Sequence, residues 1–553
     1  MRTAPATPLL RSRLTAVLTL AMASPAVAQA QPDSTGIAWR EDLRFLATEL
    51  PRRHKNAFAR MTAAQWDSAV QALDRKLPSL KRHQTIVELM RLVALVGDGH
   101  TFLTPEFEDR MGFHTLPIRL YDFADGLYVI AADSSHRELL GARVLRIGRA
   151  TTPEAMAAAA TLVSHESPGW ARFRGASLLT IPEVLAGLQL TDDPARATFT
   201  LDLAGREQTV TVAAVGLVSG EAATAARDRW PDMRGPGPAE EPVWLRNPGN
   251  PFWFTILPGP TLYIGYRAVQ FFANGETNEQ FFRRAFAAAD SAAVERVIFD
   301  IRTNGGGNNF LNRFVVKEII RRPALDQPDR LLVLIGRGVF SAAQNLVNEL
   351  DFYTNATFVG EPTGNAPNQY GDARRLELPR SKLRIFVSSL YWQGHVASNT
   401  RLAFTPDLFV EATSADYRDR RDPVLETALR WATGPTLAQQ LGPIAERGDT
   451  TALIRAIENY RTASFNRYRD IEADLNTAGY RLLRSHQTKA AISVFRANVR
   501  LFPRSGNGYD SLGEALERDG QREEAIAAYR QALALNANLG SSRDALRRLG
   551  ATP

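Results

Sequence analysis

The sequence predicts an α/β chain of several domains, with a helical N-terminal segment, a β-rich middle region, an α/β core and a C-terminal α-helical array. Three observations lead there. Apolar residues between 36 and about 95 recur at three- and four-residue spacing, as in Leu43, Leu46, Leu50 and Trp66, Val70, Leu73, the period of amphipathic helices. From Thr261 to about Trp431, apolar β-runs alternate with helical stretches, which suits a largely buried sheet covered by helices. Beyond residue 470 the chain matches itself at an offset of 34 residues, a period of stacked helix pairs. The length of 553 residues is enough for three or four such units, at roughly 100–200 residues each.

The first 28 residues read as a cleavable leader. Arg2, Arg11 and Arg13 form a basic start, Leu14 to Met22 an apolar stretch, and Ala26-Val27-Ala28 a small-residue exit, the layout of a secretory signal. The apolar stretch is shorter than the roughly 20 residues that span a bilayer. Cleavage near Ala28 would leave an exported chain with no membrane span, in the periplasm if the cell has two membranes, or secreted. The formal charge of +7 would fall to +4 with those three arginines gone. Neither value is gathered into a basic patch, so nucleic acid is not expected as a partner. The absence of cysteine excludes disulfides, thiol catalysis and Cys-ligated metal.

The helical segment is assigned to 36–110. Residues 115–215 carry short β-type runs such as Leu127-Tyr128-Val129-Ile130 and Ala197-Thr198-Phe199-Thr200-Leu201 between turn signals. Within them, Leu140-Gly141-Ala142-Arg143-Val144-Leu145-Arg146-Ile147-Gly148 looks like the second half of a PDZ domain without an obvious carboxylate-binding loop, which reads as a degenerate PDZ-like module. Residues 216–260, rich in Pro, Gly and Trp, are expected as a connector, and 261–436 as the core. Its clearest strands are Val294–Ile301 and Leu331–Ile335. A helical linker is expected at 438–469. In 470–550 the shift by 34 superimposes Leu475 on Tyr509, Gly479 on Gly513, Leu482 on Leu516, Ala491 on Ala525 and Phe495 on Tyr529. That is the tetratricopeptide period, and such an array could bind a protein partner or pack on the core.

The chain has no P-loop, no H-E-x-x-H and no G-x-S-x-G, against a P-loop ATPase, a zincin and an α/β-hydrolase. Three segments could carry chemistry. Asp300-Ile301-Arg302-Thr303-Asn304-Gly305-Gly306-Gly307-Asn308 follows a strand and precedes a helix beginning near Phe310. Its glycines let backbone N–H groups approach an anion, or serve only as a turn. Ser341, in Gly336-Arg337-Gly338-Val339-Phe340-Ser341-Ala342-Ala343, stands at a helix N-terminus. There it is either an N-cap worth about 1 kcal/mol or a nucleophile favoured by the first-turn N–H groups. His100, in Val96-Gly97-Asp98-Gly99-His100-Thr101, is expected to be exposed in a turn. A serine nucleophile needs a base such as His within reach, and no His lies near Ser341 in sequence, so His100 is the candidate from a distant segment.

In order, these segments and Val359-Gly360-Glu361-Pro362-Thr363-Gly364 resemble the tail-specific (C-terminal processing) serine peptidases, which include the tricorn core. Thr405-Pro406-Asp407-Leu408 and Arg421-Asp422-Pro423-Val424-Leu425 fit the family's closing strand and last helix, so the likeness covers about 38–435. It implies a crotonase-like ββα core, with Ser341 as nucleophile and Gly305 or Gly306 together with Ala342 as oxyanion hole. It implies no metal and no organic cofactor. The Lys of the family's Ser–Lys branch would stand at Ala366, which points to the tricorn-like branch and to His100 as base. In that branch a Ser precedes the His and a Glu assists it; here those positions hold Gly99 and Asn399. Asp98, Glu361 and Asp407 are the remaining acids that could orient His100.

The expectation is therefore an exported serine endopeptidase acting on peptides or unfolded protein. The alternative is a non-catalytic ligand- or peptide-binding protein on the same fold, since fold does not set function. A third reading places the main site on the tetratricopeptide segment.

Overall fold

A computed structural model of the chain describes residues 36–220, 224–225, 227–235, 241–432 and 434–552. The leader expected at 1–28 lies outside them.

The N-terminal segment is three helices, Gly36–Arg53, Ala63–Lys76 and Arg82–Ala94. Their buried faces hold Leu43, Leu46, Leu50, Trp66 and Leu73, the residues whose spacing predicts the helices. The second helix begins on a capping box between Thr62 and Gln65, satisfying two backbone donors reciprocally. Asp42, buried in the first helix, accepts from the Arg380 and Ser381 N–H groups at 2.7 and 2.8 Å. That pins the helix to the turn of a long hairpin, Asn368–Glu377 with Arg384–Gln393.

The middle region is an antiparallel sheet of Ile118–Phe123, Gly126–Ala132, Arg143–Ile147, Arg196–Leu203 and Arg206–Ala213, in that order. Three helices accompany it, Thr152–Ala160, Pro168–Leu178 and Pro182–Gly187. These helices interrupt the β-type runs expected over 115–215, and each carries Pro in its first turn, a usual opening for a helix.

The core sheet has six strands, ordered Leu408–Phe409, Thr357–Gly360, Leu331–Ile335, Arg296–Asp300, Thr261–Tyr266 and Phe252–Leu257. The first five are parallel and the last is antiparallel. Phe252–Leu257 comes from the stretch expected as a connector, which thus supplies an edge strand. All five residues of Leu331–Ile335 are buried, as a strand covered on both faces requires. Helices Asn278–Ser291, Asn312–Ile320 and Ala342–Tyr353 bury Phe281, Phe282, Phe286, Val315, Leu346 and Leu350 against it. At the sheet's carboxyl end, Arg302 donates to Asp300 and, through two nitrogens, to Asp422 at 2.8 and 2.9 Å. This triad ties the glycine-rich turn to the start of the helix Pro423–Arg430.

Helices Leu437–Glu446 and Thr450–Thr462 lead into Ile471–Arg484, Thr488–Leu501, Gly506–Arg518, Arg522–Leu535 and Gly540–Arg548. The 34-residue offset is visible in the packing. A Cβ on Gly479 would lie 2.5 Å from the Phe495 ring, and one on Gly513 would lie 2.8 Å from the Tyr529 ring. Glycine recurs where the paired helices touch. Among the described residues no helix is long and apolar enough to cross a membrane.

Candidate active site

Ser341 follows the turn after Leu331–Ile335 and directly precedes the helix Ala342–Tyr353. It does not cap that helix with its side chain. Its backbone adopts φ 55° and ψ −126°, a conformation that costs a non-glycine residue about 1–3 kcal/mol. The surroundings hold it there. The Ser341 N–H donates to Asn365 Oδ1 at 2.7 Å, and its carbonyl accepts from Gln369 Nε2 at 3.1 Å. The Phe340 N–H, one residue earlier, donates to the Asn304 carbonyl at 3.0 Å.

The glycine-rich turn lies against the serine. A Cβ on Gly306, where φ is +100°, would sit 2.6 Å from Ser341 Cβ, 2.8 Å from the Phe340 carbonyl oxygen and 2.9 Å from the Ala342 nitrogen. Only glycine allows that approach. The Gly306 N–H is already used, donating to Asn304 Oδ1 at 2.9 Å. Of the three amides named as oxyanion donors, those of Gly305 and Ala342 make no bond to another described residue. The latter is the first N–H of its helix, which no intrahelical carbonyl can satisfy.

His100 departs from expectation by being buried, at 9 % exposure. The turn that carries it is folded around Asp98, whose Oδ1 accepts from the His100 and Thr101 N–H groups at 2.9 and 3.0 Å and from Ser388 Oγ at 2.7 Å. The sequence could not show this, because Ser388 comes from a hairpin almost 300 residues away. The imidazole packs on the Phe340 ring at 4.4 Å, and Phe340 stacks on Trp170 at 4.2 Å. Neither ring nitrogen has a hydrogen-bond partner among the described residues. Burial pushes the imidazole pKa below its ordinary value of 6.5, against the upward pull of Asp98, Asp372 and the Tyr370 carbonyl. His100 thus lies beside the residue preceding Ser341, with its pKa held down by burial. Buried polar atoms without partners are uncommon, and each calls for a physical explanation.

None of the three acids proposed to orient His100 bonds to its ring. The second oxygen of Asp98 takes His54 Nε2 at 2.8 Å, both side chains being 1 % exposed. His54 Nδ1 accepts from the Asn56 N–H at 2.9 Å, so Nε2 carries the proton and donates it to Asp98. Asp98 therefore bonds to His100 only at its backbone N–H, while its charge raises the imidazole pKa through space. Glu361 pairs with Arg337 at 2.7 Å. Asp407 accepts from the Phe358 N–H at 2.8 Å, holding two core strands together.

One acid that sequence reasoning missed does enter the site. Glu166, buried beside the helix Pro168–Leu178, accepts on Oε2 from the Gly99 N–H at 3.0 Å and from Asn365 Nδ2 at 3.1 Å. Burial and the nearby Asp98 charge push its pKa up to about 8. Nothing in the local sequence Ser164-His165-Glu166-Ser167 marks it, since its partners lie 67 and 199 residues away.

Beside these groups is a cavity of roughly 290 Å³ lined by Phe102, Leu103, Leu162, Trp170, Phe340 and Gly305 among others. Its walls are mostly apolar, and Phe340 and Gly305 in its lining are chain neighbours of Ser341 and Gly306. No group of three or more His, Asp or Glu side chains that could hold a metal occurs among the described residues.

A serine on a strained strand-to-helix turn, a glycine turn against it and a buried histidine packed on the preceding Phe340 come together at the carboxyl end of the core sheet of an α/β fold. No family model matches the sequence, and no curated protein matches it. Among solved structures, a serine-to-alanine mutant of CPAF aligns with 72 % of this chain and 99 % of its own at 14 % identity and a TM-score of 0.51. Mature CPAF aligns with 71 % of this chain and 96 % of its own at 16 % identity and a TM-score of 0.50. These likenesses show that the two proteins share a fold. The photosystem II D1 C-terminal processing protease aligns with 68 % of this chain and 92 % of its own at 15 % identity, with a TM-score of 0.32, too low to argue from.

Proposed function

We propose that the protein is an exported serine-type endopeptidase, on the tail-specific peptidase fold, acting through Ser341 and His100. The observation that carries this reading is Ser341 itself. Its backbone is held at φ 55° against Gly306, with the free Ala342 N–H next to its hydroxyl-bearing carbon and the unpartnered His100 packed on Phe340. A structural serine needs none of these.

In the proposed reaction a peptide carbonyl lies over Ser341, its oxygen toward the Ala342 and Gly305 N–H groups. His100 takes the hydroxyl proton as Oγ attacks, and the tetrahedral oxyanion is held by the two amides. The imidazolium returns its proton to the departing amine, and water then hydrolyses the acyl-enzyme by the same route. The imidazole must turn from its contact with Phe340 to reach the hydroxyl, as catalytic hydrogen bonds often tighten only when substrate is bound. The cavity lined by Phe102, Leu103 and Trp170 suits an apolar substrate side chain. The middle sheet serves as the PDZ-like module and the C-terminal helices as a tetratricopeptide array for a protein partner. The basic, Ala-ended leader directs the chain out of the cytoplasm, to the periplasm or beyond.

The test is labelling of residues 29–553 by a fluorophosphonate probe, compared with Ser341→Ala and His100→Ala. Loss in both variants supports the proposed pair. Loss in Ser341→Ala alone keeps the nucleophile and removes His100 as base. The binding-protein reading draws support from the missing bond between His100 and Ser341; a folded wild type that never labels would favour it.

A further inference from the structure

Buried acids are seldom idle, because an unpaired carboxylate in a protein interior is costly. Glu166 has no cation among its hydrogen-bond partners. Its Oε2 accepts from the Gly99 N–H and Asn365 Nδ2, while Oε1 is buried without a partner among the described residues. The direction of the bonds is settled by the backbone. The Ser341 N–H can only donate, so Asn365 must turn its oxygen to Ser341 and its amide to Glu166. The Gly99 N–H likewise can only donate. Oε2 therefore serves as a double acceptor for the two turns, while Oε1 bonds to no described residue.

These bonds form one continuous line. It runs from the Ser341 N–H to Asn365, from Asn365 to Glu166, and from Glu166 to the N–H of the residue before His100, with links of 2.7, 3.1 and 3.0 Å. The flanking serines reinforce it. Ser164 Oγ donates to the Asp98 carbonyl at 2.6 Å, and Ser167 Oγ donates to the Thr363 carbonyl at 2.8 Å. The segment 164–167 thus grips the base-bearing turn with one hand of bonds and the loop under the nucleophile with the other. The charged groups acting on Glu166 are Asp98, which disfavours its ionisation, and Arg60, which favours it more weakly.

We propose that Glu166 is a positioning residue that registers the nucleophile's backbone against the turn carrying the base. This rests on the peptidase reading for its catalytic meaning. Without the tie, the Asn365 amide and the Gly99 N–H lose their shared acceptor. The hydrogen-bonded tie between the two turns is then lost, leaving the packing of His100 on Phe340, and a displacement near 1 Å is worth about 100-fold in rate.

Two readouts on the full mature chain test it. The first is the second-order rate of fluorophosphonate labelling at Ser341. The second is hydrogen–deuterium exchange in peptides covering 97–101 and 341–345. Glu166→Ala is expected to slow labelling about 100-fold and to speed exchange in both peptides together. Glu166→Gln keeps a neutral side chain with a carbonyl acceptor, and should restore both readouts to within about threefold of wild type. If Glu166→Ala does not fold, Asn365→Ala breaks the same line at its other link and should give the same pair of changes. Wild-type labelling and exchange in either alanine variant would overturn the proposal. So would a Gln variant as impaired as Ala. Coupled exchange in a chain whose wild type never labels would sustain the tie and remove the peptidase reading instead.

Discussion

Gly306→Ala separates a built active site from a serine that merely sits near a glycine turn. The new methyl would be placed 2.6 Å from Ser341 Cβ, 2.8 Å from the Phe340 carbonyl oxygen and 2.9 Å from the Ala342 nitrogen. Ordinary carbon contacts lie at about 3.5–4.0 Å, so the two turns must separate by about 1 Å. None of the three neighbours is a flexible side-chain end that could swing aside. Alanine at φ +100° also carries about 1–3 kcal/mol of backbone strain. Moving the nucleophile and the Ala342 amide by about 1 Å should slow phosphonate labelling by about 100-fold, equivalent to about 2.7 kcal/mol in the barrier. Gly216→Ala, outside the site, is the control, since a Cβ there meets nothing within 4 Å. The assay is the second-order labelling constant of both variants, with thermal midpoints to confirm folding. A folded Gly306→Ala that labels within threefold of wild type would refute the assignment of this turn to the site.

Two further outcomes are expected. Because burial lowers the His100 pKa, labelling should hold at neutral pH and fall as pH drops, with a midpoint below 6.5. Between that midpoint and 6.5 the unfolded chain binds more protons, so stability should decline over the same window. A labelling midpoint at or above 6.5, from rates measured between pH 4.5 and 8, would contradict the assignment. Asp422→Ala removes the two-nitrogen partner of Arg302 and the acceptor of the Leu425 N–H. Breaking a buried ion pair should lower stability by about 3 kcal/mol in urea unfolding, and a loss under about 1 kcal/mol would count against a structural role for the triad.

Several parts of the molecule were legible in the sequence because their causes are local. Leu43, Leu46 and Leu50 had to face one side of a helix, and Leu331–Ile335 could hardly be anything but a covered strand. The glycine run marks a turn, and at Gly306 the structure shows the close backbone approach that such a run permits. The repeat is legible because equivalent residues recur at an offset of 34, with Gly479 and Gly513 each set against an aromatic ring, Phe495 and Tyr529. The middle helices were missed where β-type runs dominated the reading, and the edge strand Phe252–Leu257 was hidden in a Pro- and Gly-rich stretch.

Residue types and their order along the chain were enough to single out Ser341, His100 and the glycine turn as candidates, since a strand-turn-helix junction declares itself over a few neighbours. Tertiary structure decided what surrounds them. Whether His100 is exposed or buried, which amides stay free, and which acid reaches the site depend on segments separated by up to about 300 residues. Asp98 went to His54, Glu361 to Arg337, and Glu166 to Gly99 and Asn365. Such pairings follow from how the domains close on one another. A carboxylate's partner is set by distance in space, on which spacing along the chain places no constraint.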